Sequence, residues 1–295
     1  MKQYVDQAIA GLDEGNYADS PEWDAAVAEV LPDLYASEII PDTYPLLSDL
    51  TKVAGGDHSR FSTPAEVAAW KQPYPSGRVS VPTVRYDGSV ATLVVRGFSS
   101  VHRREIDLYV EAAAEILTSK RAHTTCGRVI DVSGNTGGDP RVMLTAVSPL
   151  LDDGAAVVLR ERDGARSDVV VRGNSVSWGS EVWGELPAEP TKITTRPIGI
   201  VQGAATASAG EWAVVAFTGQ EGVWTFGAET GGLTTVNDGF KLPDGAFVTL
   251  SFAVMGDRES NFSEGPLAPD TVVGPGDGSP RSAAQDWAAD QCSDS

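Results

Sequence analysis

Twice in this chain an apolar run of strand length ends in a glycine-containing turn and passes into an amphipathic helix. These are GRVIDVSGNTGG before PRVMLTAVSPLLDDG, and RPIGIVQG before TASAGEWAVVAFTG. Strands that alternate with helices along the chain are joined by crossovers and covered by those helices. The pattern therefore predicts crossover units on a sheet. SVATLVVRGF and the helix-period segment IDLYVEAAAEILTSKR extend the alternation upstream. The expected fold is α/β (α+β), with a mostly parallel β-sheet flanked by helices.

Around this core the pattern changes. From Tyr4 to about Val53, apolar positions recur every three or four residues, and Pro21, Pro32, Pro41 and Pro45 divide the stretch into short helices. KVAGGDHSRFSTPAEV reads as a turn or loop leaving this lobe, and KQPYPSGRVSVP as a second loop. AAVVLRERDG and SDVVVRGNSVSW predict a hairpin. The later strands are expected to be joined by Asn-Asp-Gly and Pro-Asp-Gly turns. The expected division is a helical lobe over 1–72, a core over 73–275 and a polar tail over 276–295, in which SAAQDWAAD makes a helical turn or two.

Composition excludes some partners. Lys and Arg number 22 against 41 Asp and Glu, a formal net charge of −19, which repels phosphate backbones and anionic lipid heads. No nucleic-acid partner is expected, and no run reaches the roughly 20 apolar residues of a membrane-spanning helix. As written, the chain reads as cytoplasmic; removal of an N-terminal segment would make it secreted or anchored. Cys126 and Cys292 lie in a core segment and in the polar tail, without metal-ligand spacing or a disulfide framework. Neither is expected to be catalytic.

Serine in a tight strand-to-helix turn is the recurring way to present a nucleophilic hydroxyl, because backbone amides there point at a developing oxyanion. Ser208, in IGIVQGAATASAGEWAVVAF, sits in such a turn. The small residues around it equally suit close packing of a helix on a sheet, and the segment is not a Gly-x-Ser-x-Gly elbow.

IGIVQGAATASAGEWAVVAF resembles the nucleophile segment of the tail-specific (C-terminal processing) serine peptidases, with Ser208 at the nucleophile's place. GRVIDVSGNTGGDPRVML is similar to that family's Asp-Leu-Arg-x-Asn-x-Gly-Gly element through Asp131, Asn135, Gly137 and Gly138, with Ser133 where Arg is usual. GAETGGLTTV resembles the Gly-x-x-Thr-x-Gly-Lys segment, and GPLAPDTVV the closing Gly-x-x-Pro-Asp-x-x-Val strand. The resemblance covers roughly Val81 to Val273. It implies a ClpP/crotonase-like core, a peptide substrate, and oxyanion donors at Ala209 and in the Gly137-Gly138 turn. The short link after Phe61 implies no PDZ domain.

The lysine base of the bacterial processing peptidases falls at Leu233, which cannot accept a proton, and Lys241 reads as a surface residue. GGDHSRFSTP is similar instead to the tricorn-core and nisin-resistance branch, which implies His58 as general base. Imidazole suits that role, since its ordinary pKa lies near neutrality. A third group to orient it is sought among Asp57, Ser59 and Glu264. His102 and His123 match no family position and read as structural. The implied chemistry is acyl transfer to Ser208 with no metal or organic cofactor, at a site expected between lobe and core. The alternatives are a silent ligand-binding module on this fold, or a biosynthetic acyl hydrolase or cyclase acting on a non-peptide ester.

Overall fold

In the computed structural model, residues 1–74, 79–187, 192–194 and 196–293 are described. Most prolines of the N-terminal segment begin helices. Pro21, Pro41, Pro45 and Pro64 occupy first-turn positions of Pro21–Ala36, Ile40–Thr43 (a 3-10 turn), Tyr44–Gly55 and Pro64–Trp70. A missing N–H costs nothing there, because first-turn amides have no intrahelical partner. Pro32 corrects the expectation, since Pro21–Ala36 runs straight through it. Trp23 and Leu34, on either side of Pro32, are both buried. Burying each contributes about 1.5–3 kcal/mol, enough to offset the roughly 3 kcal/mol that an interior proline costs.

The chain forms two compact units. The first combines Met1–Gln72 with Arg160–Arg166 and Thr235–Val254. Its core gathers Val5, Leu12, Trp23, Leu34, Leu47 and Leu50 from the helices with Val248 and Leu250 from a strand. Strands Arg60–Ser62 and Thr235–Lys241 each pair antiparallel with Phe247–Gly256. The expected Asn-Asp-Gly turn at 237–239 lies inside Thr235–Lys241, next to a bulge between Val236 and Asn237. Pro243-Asp244-Gly245 does turn the chain, with the Leu242 amide donating to Ala246 at 2.9 Å.

The second unit holds Pro73–Leu159, Ser167–Thr234 and Met255–Ser295. Part of the expected loop before it, 75–78, lies outside the described residues. Its six-stranded sheet runs in the order Thr271–Val272, Val223–Gly227, Ile198–Gln202, Gly127–Asp131, Val90–Val94, Thr83–Asp87. The first five are parallel and the last is antiparallel. Gly127–Asp131 and Ile198–Gln202, the two strands expected to end in glycine-containing turns, are buried at every residue. Tyr109, Val142 and Ala209 bring helices Arg103–Thr118, Pro140–Val147 and Ala209–Phe217 into one core cluster.

A mostly parallel sheet is nonetheless not what the chain as a whole adopts. Gly154–Glu161, Arg166–Arg172, Ser175–Trp178 and Glu181–Glu185 follow one another as antiparallel neighbours, and the strands of the first unit are antiparallel too. Connection length is the reason. The Glu161 amide donates to Ala165 at 2.9 Å across a tight turn, whereas parallel neighbours need crossovers of about a dozen residues or more.

The C-terminal segment is more than a polar tail. Pro280–Ser293 is a helix whose Ala284 and Ala288 are wholly buried against the six-stranded sheet. Its small residues sit one turn apart and so face the same way, over Gly127 and Gly199. Cys292 on this helix is disulfide-bonded to Cys126, with 5.9 Å between Cα atoms and 166 positions between them in sequence. The expectation of no disulfide is thus overturned; the pairing is set by docking of the helix, which spacing does not encode. We predict that Cys292→Ser lowers the unfolding free energy by about 2–5 kcal/mol in urea denaturation, and that dithiothreitol reproduces the loss in the unsubstituted protein.

Candidate active site

Ser208 is the N-cap of helix Ala209–Phe217 and has φ 53 and ψ −120, a conformation that side chains rarely adopt. Such backbone strain persists only where the surroundings over-determine it. Here they do, because Glu211 is wholly buried and its Oε2 accepts the Ser208 amide at 2.8 Å. Its Oε1 accepts the Gly232 amide at 2.8 Å and the Thr230 hydroxyl. One carboxylate therefore ties the strained turn to the GAETGG segment. The spacing Ser208-x-x-Glu211 is that of a helix capping box, so the sequence did carry a signal for it.

The Gly137-Gly138 turn faces this serine. A Cβ on Gly137 would lie 3.0 Å from Ser208 Cβ and 3.4 Å from its Oγ, and φ there is 110. Only glycine allows that approach without strain. Asn135, wholly buried, shapes the turn: its Oδ1 accepts the Gly137 amide at 3.0 Å and its backbone carbonyl accepts the Ala207 amide at 3.0 Å. The Gly137 amide is thereby committed, while Gly138, next in the turn, is exposed. Ala209 occupies the first helical position, where the amide has no intrahelical partner. Thr206 closes the link, donating its hydroxyl to the Val132 carbonyl at 2.9 Å.

The closing motif joins the same assembly. The Leu267 amide donates to Thr230 Oγ1 at 2.8 Å, and Gln202 Nε2 to the Leu267 carbonyl at 2.8 Å. All four segments quoted from the sequence therefore meet around Ser208 within the second unit. Glu264 lies in an exposed bend beside Gly265, whose amide donates to Thr234 Oγ1 at 3.0 Å.

His58 belongs to the first unit, where Nδ1 meets Thr235 Oγ1 at 2.9 Å. Thr235 Oγ1 in turn meets Ser251 Oγ at 2.9 Å, and Ser251 donates to Asn237 Oδ1 at 2.6 Å. Asn237 Nδ2 returns to the His58 carbonyl at 3.2 Å. Ser59 contacts this network through Ser251, whose amide it accepts at 2.9 Å, whereas Asp57 is exposed. Desolvation pushes the His58 imidazole below its ordinary pKa, against the opposing effect of a hydrogen bond that the ring donates to the Thr235 backbone carbonyl, so neutral imidazole is favoured. Sequence reasoning missed Thr235: it stands 177 positions from His58 and only strand pairing brings it near. Leu233 is half-buried, and Lys241 is exposed on its strand. His102 caps helix Arg103–Thr118 and His123 is exposed in the short helix Lys120–Thr124.

Residues 89–273, which hold the whole Ser208 assembly, match the model of peptidase family S41. The chain belongs to peptidase family S41. This S41 peptidase is 25% identical over 292 residues to the nisin-resistance protein of Lactococcus lactis subsp. lactis, covering 98% of this chain and 87% of that one. Its fold is similar to that of a lipoprotein from Streptococcus agalactiae, with a TM-score of 0.82 and 22% identity over 98% of this chain and 95% of that one. It is similar too to a photosystem II D1 C-terminal processing protease, with a TM-score of 0.61 and 13% identity over 92% of each chain. Serine-type peptidase chemistry and a peptide substrate follow from the family. No described helix is long and apolar enough to cross a membrane.

Two outcomes are expected of this S41 peptidase. Glu211→Ala orphans the buried Thr230 hydroxyl and the part-buried Ser208 and Gly232 amides at roughly 1–3 kcal/mol each, and should lower unfolding free energy by about 3 kcal/mol or more in urea, with Glu211→Gln losing less. His58, followed by imidazole NMR, should titrate below 6.5. Because the unfolded chain then binds a proton more readily, stability contributed by neutral His58 should fall as pH drops from about 6.5 through the folded pKa.

Proposed function

We propose that this S41 peptidase is of the tail-specific, nisin-resistance-like type and cleaves a peptide through an acyl-enzyme on Ser208, with His58 as general base. The observation that carries this reading is the strained Ser208 turn, with φ 53 on a non-glycine residue, aimed at a glycine turn and held by a buried carboxylate. Serine pays no such conformational penalty in an ordinary helix cap.

In the proposed reaction, Ser208 Oγ attacks the scissile carbonyl while the imidazole takes its proton. With Nδ1–H donating to Thr235, Nε2 is the ring nitrogen assigned to that proton. The tetrahedral oxyanion is assigned to the amides of Ala209 and Gly138. Collapse expels the amine, which receives the proton from imidazolium, and water then resolves the acyl-enzyme by the same steps in reverse. Thr235 takes the orienting place of the triad's third member, and Glu264 is proposed as the further acid of a tetrad, testable as Glu264→Gln. The Cys126–Cys292 disulfide supports action in an oxidising compartment, outside the cytoplasm, in keeping with the similar lipoprotein.

Intact-mass analysis after exposure to a fluorophosphonate tests the reading. One adduct is expected on the unsubstituted protein, none on Ser208→Ala, and labelling at least about a hundredfold slower on His58→Ala. The labelling rate should rise with pH through an inflection below 6.5 and level off near neutrality. Failure of the folded protein to label overturns the hydrolase reading, and equal labelling of His58→Ala overturns the base.

A further inference from the structure

The turn that carries Gly138 begins at Asp131, whose carboxylate is 2% exposed as a residue and has two sets of partners. Its Oδ1 accepts the Ser133 amide at 3.0 Å and the Ser133 hydroxyl at 2.6 Å, so it winds the first step of the turn. Its Oδ2 accepts Nε of Arg281 at 2.7 Å and, in the same fork, Nη2. Arg281 comes from the first turn of the C-terminal helix Pro280–Ser293, 150 positions away. A buried carboxylate without a counter-charge turns toward whatever donors or water it can reach. With two guanidinium N–H groups on Oδ2, the carboxylate is held so that Oδ1 is presented to Ser133.

From Asp131 the constraint passes along the turn. The Asn135 amide donates to the Val132 carbonyl at 2.9 Å, the Asn135 side chain holds the Gly137 amide, and Gly138 follows. We infer that Arg281 is a positioning residue of the peptidase reaction: through Asp131 it fixes the turn that presents the Gly138 oxyanion donor to Ser208. This rests on the serine-hydrolase reading above. Other contacts also dock the C-terminal helix, namely the disulfide and the Gln285 Nε2 bond to Thr92 Oγ1 at 2.9 Å, and neither touches Asp131 or the turn.

The test compares fluorophosphonate labelling of Arg281→Met and Gln285→Ala with that of the unsubstituted protein, all with the disulfide intact and folding checked by thermal melting. Both substitutions remove an anchor of the same helix, but only one touches Asp131. Arg281→Met should slow the saturated labelling step by about 10- to 100-fold at an unchanged half-saturating probe concentration, while Gln285→Ala labels at the unsubstituted rate. Arg281→Lys, which keeps the charge without the fork, should recover part of the loss. Labelling of Arg281→Met at the full rate overturns the inference. So does equal slowing of both variants, which would make helix docking alone the cause. If Arg281→Met does not fold, Arg281→Gln decides by the same criterion. Absence of labelling in the unsubstituted protein overturns the hydrolase reading itself, and is thus distinct from failure of the Arg281 inference alone.

Discussion

The buried carboxylate of Glu211 is the interaction on which the candidate site depends. A charge removed from water must be met by donors, and this one is met by the Ser208 amide, the Gly232 amide and the Thr230 hydroxyl. Each of those donors belongs to a segment that would otherwise be an independent loop. Satisfying one anion therefore fixes the spacing of the nucleophile turn and the Thr230–Thr234 segment together. The positive φ of Ser208 is affordable for the same reason, since the amide it exposes has a charged acceptor waiting.

The parallel sheet supplies the other half of that geometry. Ile198–Gln202 and Gly127–Asp131 are adjacent and parallel, so both deliver their following turns to the same end of the sheet. With the two turns side by side, Asn135 lies beside Ala207 and Gly137 beside Ser208. On the first unit, antiparallel strands do a comparable job for His58, whose Thr235–Ser251–Asn237 partners come from paired neighbours. Antiparallel pairing there arises from a tight Pro-Asp-Gly turn, a local cause, whereas the parallel pairs need the whole chain.

Much of this was legible in the sequence. Largely apolar runs announced the buried strands, and the glycines at 137 and 138 announced a tight turn, where φ is 110 and 129 and a Cβ on Gly137 would lie 3.0 Å from that of Ser208. Ser208-x-x-Glu211 announced a cap, although not that the same carboxylate would reach Thr230. Pro32 misled because propensity is local and the burial of Trp23 and Leu34 is not. Asn237-Asp238-Gly239 misled because a favourable turn sequence was recruited into a strand beside a bulge.

By itself the sequence determined the strands of the parallel sheet, which turns would carry small residues, and which serine would head a helix, because period, β-branching and glycine act within a few residues. Tertiary structure alone decided the partners that lie far apart: Cys126 with Cys292, Arg281 with Asp131, and Thr235 with His58. These contacts join positions separated by 150 to 177 residues, and nothing in local propensity distinguishes one distant side chain from another. They exist because packing of helices and strands brings their backbones together first, and the polar groups left buried then have to find one another.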